Sequence, residues 1–290
     1  MGRQRRHYRR GVLYVETHLL KNNVVKNLGL KLCTTLLACL CLFQIGRAQA
    51  AFKQVAEHEL PESVLPLGDL LVPGDSSVLL TANGGLYCLN PPGWPMPPDS
   101  NNLLVSYLQL NGPSSHLFTV FHLRENKTCL YWRQEKDAET RVERLATLPG
   151  GLFRLLQQEN ALFLIGFAAD TFRIYEYASD TLASLYMSKR FIPSDVRALS
   201  RDLLLLAVGN RIVSLHRTEG LKELFNLDEP VTSFVIKDGT LLIVSTPTGL
   251  YTYTTGTLHP IAAGVTGKLF FEKNTLFVLH AEARKLYSFR

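Results

Sequence analysis

Few side chains in residues 51–290 are of a type and spacing that could carry chemistry. A metal-assisted hydrolase would draw on clustered carboxylates. The aspartates at hand, Asp69, Asp170, Asp195, Asp202, Asp228 and Asp238, are spread over separate segments. Asp238-Gly239 is a ready turn dipeptide, and the others read as caps of tight turns in loops. The histidines are His58, His116, His122, His216, His259 and His280. His122, His216 and His280 each close an apolar run and could meet on a metal. No paired ligand spacing accompanies them, so they read as satisfied strand-end residues. Neither a Gly-x-Ser-x-Gly elbow nor a phosphate loop occurs. No catalytic residue, metal or cofactor is expected from this inventory.

The elements that would position these side chains lie after a distinct leader. Residues 1–31 hold eight basic residues against Glu16 alone, followed by "LCTTLLACLCLFQIG" (32–46), Arg47 and "AQAA". A basic region, a short apolar core and a small-x-small site describe a secretory signal peptide over 1–50, with cleavage after Ala50. The apolar run has 15 residues, short of the ~20 of a spanning helix. A retained anchor is the alternative. Membrane contact is therefore expected only through the leader.

Removing the leader reverses the charge. The chain has 31 Lys and Arg against 25 acids; nine of the former and one of the latter lie in 1–50, which leaves 22 against 24. A nucleic-acid partner, which would call for a basic stripe, is not expected. Cys88 and Cys129 remain, in an oxidising compartment where a pair can bridge. Their positions place them on opposite faces of neighbouring repeat units, the faces that meet. A Cys88–Cys129 disulfide and two buried thiols are both compatible with this pattern.

Six similar tetrads give the organisation: Leu86–Leu89, Leu130–Arg133, Ile174–Tyr177, Ile212–Leu215, Leu250–Tyr253 and Leu286–Phe289. Their starts are 44, 44, 38, 38 and 36 residues apart. A second apolar run precedes each, for example "LLLLAV" (203–208) and "LLIVS" (241–245), with turn residues between the two. Flanking segments supply two more strands per unit. Four antiparallel strands in about forty residues is the dimension of a propeller blade. The fold predicted is all-β: a six-bladed β-propeller of four-stranded antiparallel blades over 51–290. The last unit stops after its third strand, while "AFKQVAEHELP" (51–61) resembles an outer strand. The ring is therefore predicted to close by pairing Phe52–Leu60 with Lys285–Phe289.

The fifth unit, "GTLLIVSTPTGLYTYTTGTLHPIAAG" (239–264), resembles the blades of bacterial periplasmic β-propellers, including sensor and quinoprotein-like groups. The resemblance rests on strand order and Gly-Leu-Tyr phrases. It implies the fold and a ligand-binding habit, not a reaction. Aspartate boxes, WD signatures, recurrent kelch double glycines and tryptophan docking motifs are all missing. These absences point away from an enzyme and towards an exported periplasmic module that binds or scaffolds another periplasmic or envelope protein. The alternatives are a small-ligand sensor or metal-dependent hydrolase using the axial funnel, and a structural part of an envelope assembly.

The expected partner surface is the proline-rich stretch "NPPGWPMPPDSNN" (90–102), which holds five of the fourteen prolines. It is expected to lack a regular paired strand at its centre. One reading makes Trp94 a plug on the blade's outer edge. The other puts Trp94 and Met96 beside Arg124 and Lys127 at one rim, an aromatic anchor next to cations.

Overall fold

The computed structural model describes residues 52–73, 77–110, 114–136, 139–239, 241–254 and 256–290. The signal-peptide reading of 1–50 lies outside them. Twenty-four strands and no helix occur among the described residues, in six four-stranded antiparallel sheets. Blade 1 comprises β2 (Pro66–Leu71), β3 (Leu79–Ala82), β4 (Gly85–Leu89) and β5 (Pro92–Met96). Blade 2 comprises β6 (Asn102–Gln109), β7 (Ser115–His122), β8 (Lys127–Lys136) and β9 (Glu139–Pro149). Blade 3 holds β10 (Leu152–Gln158), β11 (Ala161–Ala168), β12 (Thr171–Ala178) and β13 (Thr181–Ser188). Blade 4 holds β14 (Asp195–Ser200), β15 (Leu203–Val208), β16 (Arg211–His216) and β17 (Gly220–Asn226). Blade 5 holds β18 (Ser233–Lys237), β19 (Leu241–Thr246), β20 (Gly249–Thr254) and β21 (Thr257–Ala263). Blade 6 takes β22 (Lys268–Glu272), β23 (Thr275–His280) and β24 (Lys285–Phe289) from the end of the chain and β1 (Gln54–Glu59) from its beginning.

The closure follows the expected pairing. Gln54 lies opposite Phe289 and Glu59 opposite Lys285, with one bulge between Gln54 and Ala56. Lys53 and Arg290 exchange backbone hydrogen bonds at 2.9 and 3.0 Å. β1 thus supplies the outermost strand of blade 6, and the two ends of the chain are held in one sheet.

Each tetrad forms part of a third strand, and its physical reason is visible in the packing. The first residue of each (Leu86, Leu130, Ile174, Ile212, Leu250, Leu286) is at most 3 % exposed. In every blade it points into the apolar cluster shared with the following blade. The second residue points into the cluster shared with the preceding one. Side chains alternate along a strand, so an aliphatic residue followed by tyrosine, or by Val213 in blade 4, serves both faces. The core is thus six wedges between blades rather than one central mass.

Blade 1 corrects one expectation. Residues Pro92–Met96 do form the outer strand β5, paired to β4 through Leu86–Met96, Cys88–Gly93 and Leu89–Pro92. An outermost strand has a partner on one side only, so prolines fit where an N–H would face outward. The bulge between Leu86 and Cys88 absorbs the remaining mismatch.

Candidate functional site

The six innermost strands β2, β6, β10, β14, β18 and β22 each bring a polar side chain to the axis. At their hub lies Asp195, the first residue of β14, whose side chain is 1 % exposed. It accepts hydrogen bonds from Arg154 of β10 (2.8 Å), Arg197 of β14 (2.8 Å), Ser233 of β18 (2.6 Å) and the Val196 and Phe234 amides (2.9 and 3.3 Å). Burial alone would raise its pKa. The attraction of Arg197 and Arg154 outweighs this and holds the carboxyl well below the usual carboxylate range.

Arg197 reaches from blade 4 to blades 5 and 6. Its Nε donates to the Phe234 carbonyl at 2.9 Å and its Nη2 to the Leu269 carbonyl of β22 at 2.5 Å. Ser233 accepts from the Leu269 amide at 3.0 Å. On the other side Ser106 of β6 donates to Asp69 of β2 and accepts from the Leu155 amide at 3.0 Å. Lys268 of β22 completes the circuit at 3.4 Å from Asp69. Three cations and two carboxylates therefore tie six blades together, with one positive charge in excess.

Local backbone features aim these groups. The β2–β3 pairing slips between Pro66 and Leu70, a bulge that redirects Asp69 inward. Gly68 has φ +110°, and a Cβ there would lie 3.2 Å from Lys268 Nζ. Glycine leaves room for the ammonium. Lys268 keeps 26 % of its side chain exposed. Burial first, and repulsion from Arg154 second, push its pKa down to about 8. The amine is thus the group of the network whose proton is most easily lost near neutral pH.

Above this floor opens a funnel of about 820 Å³, lined by Leu67, Gly68, Asp69, Leu152, Arg154, Phe167, Asp195 and Lys268, with His280 and Glu282 among the residues at its mouth. It lies on the face that carries the starts of the inner strands and the turns between second and third strands.

The sequence-derived candidates fall elsewhere or change meaning. Asp69 and Asp195 are corrected from loop caps to axial residues on inner strands, whereas Asp170 and Asp238 do sit in turns at positive φ. The three strand-end histidines do not converge. His122 is held by Asn102 (2.5 Å) and Tyr131 (2.9 Å), His216 contacts Thr218 (3.0 Å) and lines a second cleft, and only His280 reaches the funnel. Among the described residues no group of three potential ligands could hold a metal.

The rim residues are likewise dispersed. Trp94 packs edge-on against Tyr87, 5.0 Å between ring centroids, in the wedge shared with blade 6. Met96 packs with Leu86 in the wedge shared with blade 2. The β5 bulge puts these i, i+2 neighbours on opposite faces of their blade. Arg124 is exposed in the β7–β8 turn, and Lys127 pairs with Glu125. Cys88 and Cys129 are both buried free thiols. Cys88 donates to the Asn90 carbonyl at 3.3 Å and Cys129 contacts Thr147 Oγ1 at 3.6 Å. They share a wedge, but the two positions are offset by three residues along equivalent strands. That is roughly 10 Å of rise, beyond the reach of a disulfide.

Arg154, Arg197, Ser106, Ser233 and Lys268 escape sequence reasoning. Their only signal is placement. Asp69, Asp195 and Ser233 each stand 17 residues before their tetrad, and Lys268 stands 18 before its own. A buried ion group of a different kind, Glu176 with Arg201 and Arg217, links blades 3 and 4 beside the second cleft. Burial would raise the Glu176 pKa, and the two arginines bring it below its ordinary value.

No family model and no curated protein matches the sequence. Solved structures do. The chain is similar to regucalcin from Agrobacterium tumefaciens, described as a calcium-binding protein, with TM-score 0.58 and 14 % identity over 80 % of this chain and 92 % of that one. It is similar to a luciferin-regenerating enzyme with TM-score 0.56 and 10 % identity, over 82 % and 95 % of the two chains. The extracellular domain of a one-component system from B. thetaiotaomicron matches with TM-score 0.48 and 11 % identity. That match covers 83 % of this chain and 40 % of the other, so the present chain spans well under half its length. These identities speak for the propeller fold alone.

Proposed function

We propose that this chain is an exported binding module whose ligand presents a negatively charged group to the floor of the axial funnel. The observation that carries the reading is the pair of cations lining the funnel, Arg154 and Lys268: Asp195 is neutralised by Arg154 and Arg197, which leaves Lys268 with a single long ion-pair contact, to Asp69. Asp195 is saturated by five donors and cannot serve a ligand. Lys268 has one long ion-pair contact, to Asp69, lies 5.6 Å from the centre of the Phe270 ring, and lines the funnel. A carboxylate arriving there gains a charge-assisted hydrogen bond in a partly desolvated setting.

The calcium-binding description of one structural neighbour raises the metal-dependent reading directly. The residues do not fit it. A hard divalent cation wants several unpaired oxygen ligands. Here both axial carboxylates already bind cations, and two arginines and a lysine surround the position. Glu282 adds a third carboxylate only at the exposed mouth. A hydrolase built on an axial metal is therefore not the reading adopted.

Isothermal titration of purified 51–290 with butyrate, inorganic phosphate and calcium chloride tests the proposal. Saturable butyrate binding that weakens with salt and vanishes in Lys268→Met is expected. Stoichiometric calcium binding, or heat from none of the anions, would overturn it.

A further inference from the structure

Eleven large hydrophobic residues are exposed among the described residues. Five of them, Val55, Val142, Met187, Leu221 and Leu224, are spread over the outer strands β1, β9, β13 and β17. The other six gather on the funnel face. Leu65 and Leu67 flank the start of β2, Leu123 sits in the β7–β8 turn, Leu152 opens β10, Phe167 is near the end of β11, and Ile192 precedes β14. They are 37–62 % exposed. Leu67, Leu152 and Phe167 form part of the funnel wall, while Leu65, Leu123 and Ile192 lie outside it. An apolar arc over blades 1 to 4 thus continues from the funnel onto the surrounding surface. Gathered apolar exposure of this kind marks an interaction surface.

From this arrangement we infer that the funnel receives the C-terminal end of a partner polypeptide, its α-carboxylate at Lys268 and its last apolar side chains on the arc. The inference rests on the anion reading above and names the occupant. Two features select a chain end. First, Arg154 and Lys268 line the funnel where an α-carboxylate would arrive, and capture of terminal carboxylates is an established mode of peptide recognition. Second, Leu65, Leu123 and Ile192 stand too far out for a molecule confined to the funnel to cover. A polypeptide leading away from the funnel covers them.

Fluorescence anisotropy with an N-terminally labelled hexapeptide pool tests this, using Leu, Ile, Val and Phe randomised over the last three positions. The same pool with amidated C-termini is the comparison. The free-acid pool is expected to bind at least about tenfold more tightly than the amide pool. Leu65→Asp combined with Ile192→Asp, both on the open surface where folding is indifferent to the change, is expected to weaken peptide binding about tenfold and leave butyrate binding intact. Lys268→Met should abolish both, with melting temperature confirming a folded ring. Equal binding of acid and amide pools overturns the terminal-carboxylate assignment. Butyrate binding without peptide binding overturns the polypeptide occupant and leaves the anion reading standing. Failure of both probes removes the two together.

Discussion

The third strands and the first strands of this propeller follow opposite rules. Third strands write one phrase six times: an aliphatic residue into the next wedge, then an aromatic or valine into the previous one. The packing problem is the same at each interface, so the same chemistry answers it. First strands meet at the axis, where the partners differ from blade to blade, and the groups they contribute are mixed in charge: aspartate, serine, arginine, aspartate with arginine, serine, lysine. Repetition there would be ruinous. Six aspartates or six lysines at one axis would repel in a weakly screened environment, whereas the mixed set closes a circuit of hydrogen bonds. What repeats holds the ring, and what differs gives the axis its charge.

The sharpest way to break that contrast is to compare one residue from each set. Asp195→Asn leaves Arg154 and Arg197 buried without their charge partner and is expected to cost about 3–5 kcal/mol. Leu250→Ala opens a cavity at a fully buried tetrad position and should cost a similar amount, about 3–5 kcal/mol. Acidity separates them. The Asp195 pKa is depressed in the folded state, so its stabilisation is present above the unfolded value near 4 and fades as pH falls through the folded one. Urea denaturation should therefore show the wild-type advantage over Asp195→Asn shrinking below about pH 4. The advantage over Leu250→Ala should stay level. Parallel behaviour of the two variants would mean that Asp195 is only a space-filling part of the wall.

The same contrast explains what could be read in advance. Blade number, strand order and ring closure were legible because each interface demands an aliphatic residue followed by tyrosine or valine, and a demand met six times leaves a period. The outer strand Pro92–Met96 was hidden because proline removes the local strand signal. Its pairing depends on a one-sided edge position that only the assembled blade supplies. The axial group was hidden for a different reason. Arg154 and Lys268 lie 114 residues apart, differ in type from the aspartates and serines of other first strands, and become neighbours only when the ring closes. A near-constant distance to the tetrad is the trace left by Asp69, Asp195, Ser233 and Lys268 (17, 17, 17 and 18 residues); Arg154, 20 residues before Ile174, departs from it.

Lys268 gives a smaller effect of opposite sign in pH. Its folded pKa of about 8 is below the unfolded value of 10.5, so the unfolded chain holds the extra proton between these two values. Stability should rise with pH across that window. Relative to Lys268→Met, the wild type is expected to gain roughly 2–3 kcal/mol between pH 8 and 10.5. Denaturant midpoints for both proteins at three or four pH values would show it. A constant difference across the window would mean that the ammonium is as well solvated in the funnel as in the unfolded chain, and the floor would lose its claim to be a desolvated anion site.

The smallest of these effects concerns Trp94, which belongs to neither set and lies on the outer strand. Its ring meets Tyr87 edge-on and covers the wedge between blades 6 and 1, yet it remains only partly buried. Full burial of such a side chain would make truncation to alanine cost about 3–5 kcal/mol; half of that, about 2 kcal/mol, is expected here. Met96 cannot compensate, because the bulge turns it into the wedge with blade 2. Two measurements on Trp94→Ala then decide what the outer edge does. A lowered melting temperature with unchanged affinity for the free-acid peptide pool makes Trp94 a packing residue remote from the binding face. An unchanged melting temperature with lost binding would move the partner surface from the axis to the outer edge, where the tryptophan and the cations of the neighbouring turn were first expected to act together. The packing observed against Tyr87 favours the first outcome. A ring fixed by an edge contact inside a wedge has surrendered the exposed face that a binding hot spot needs.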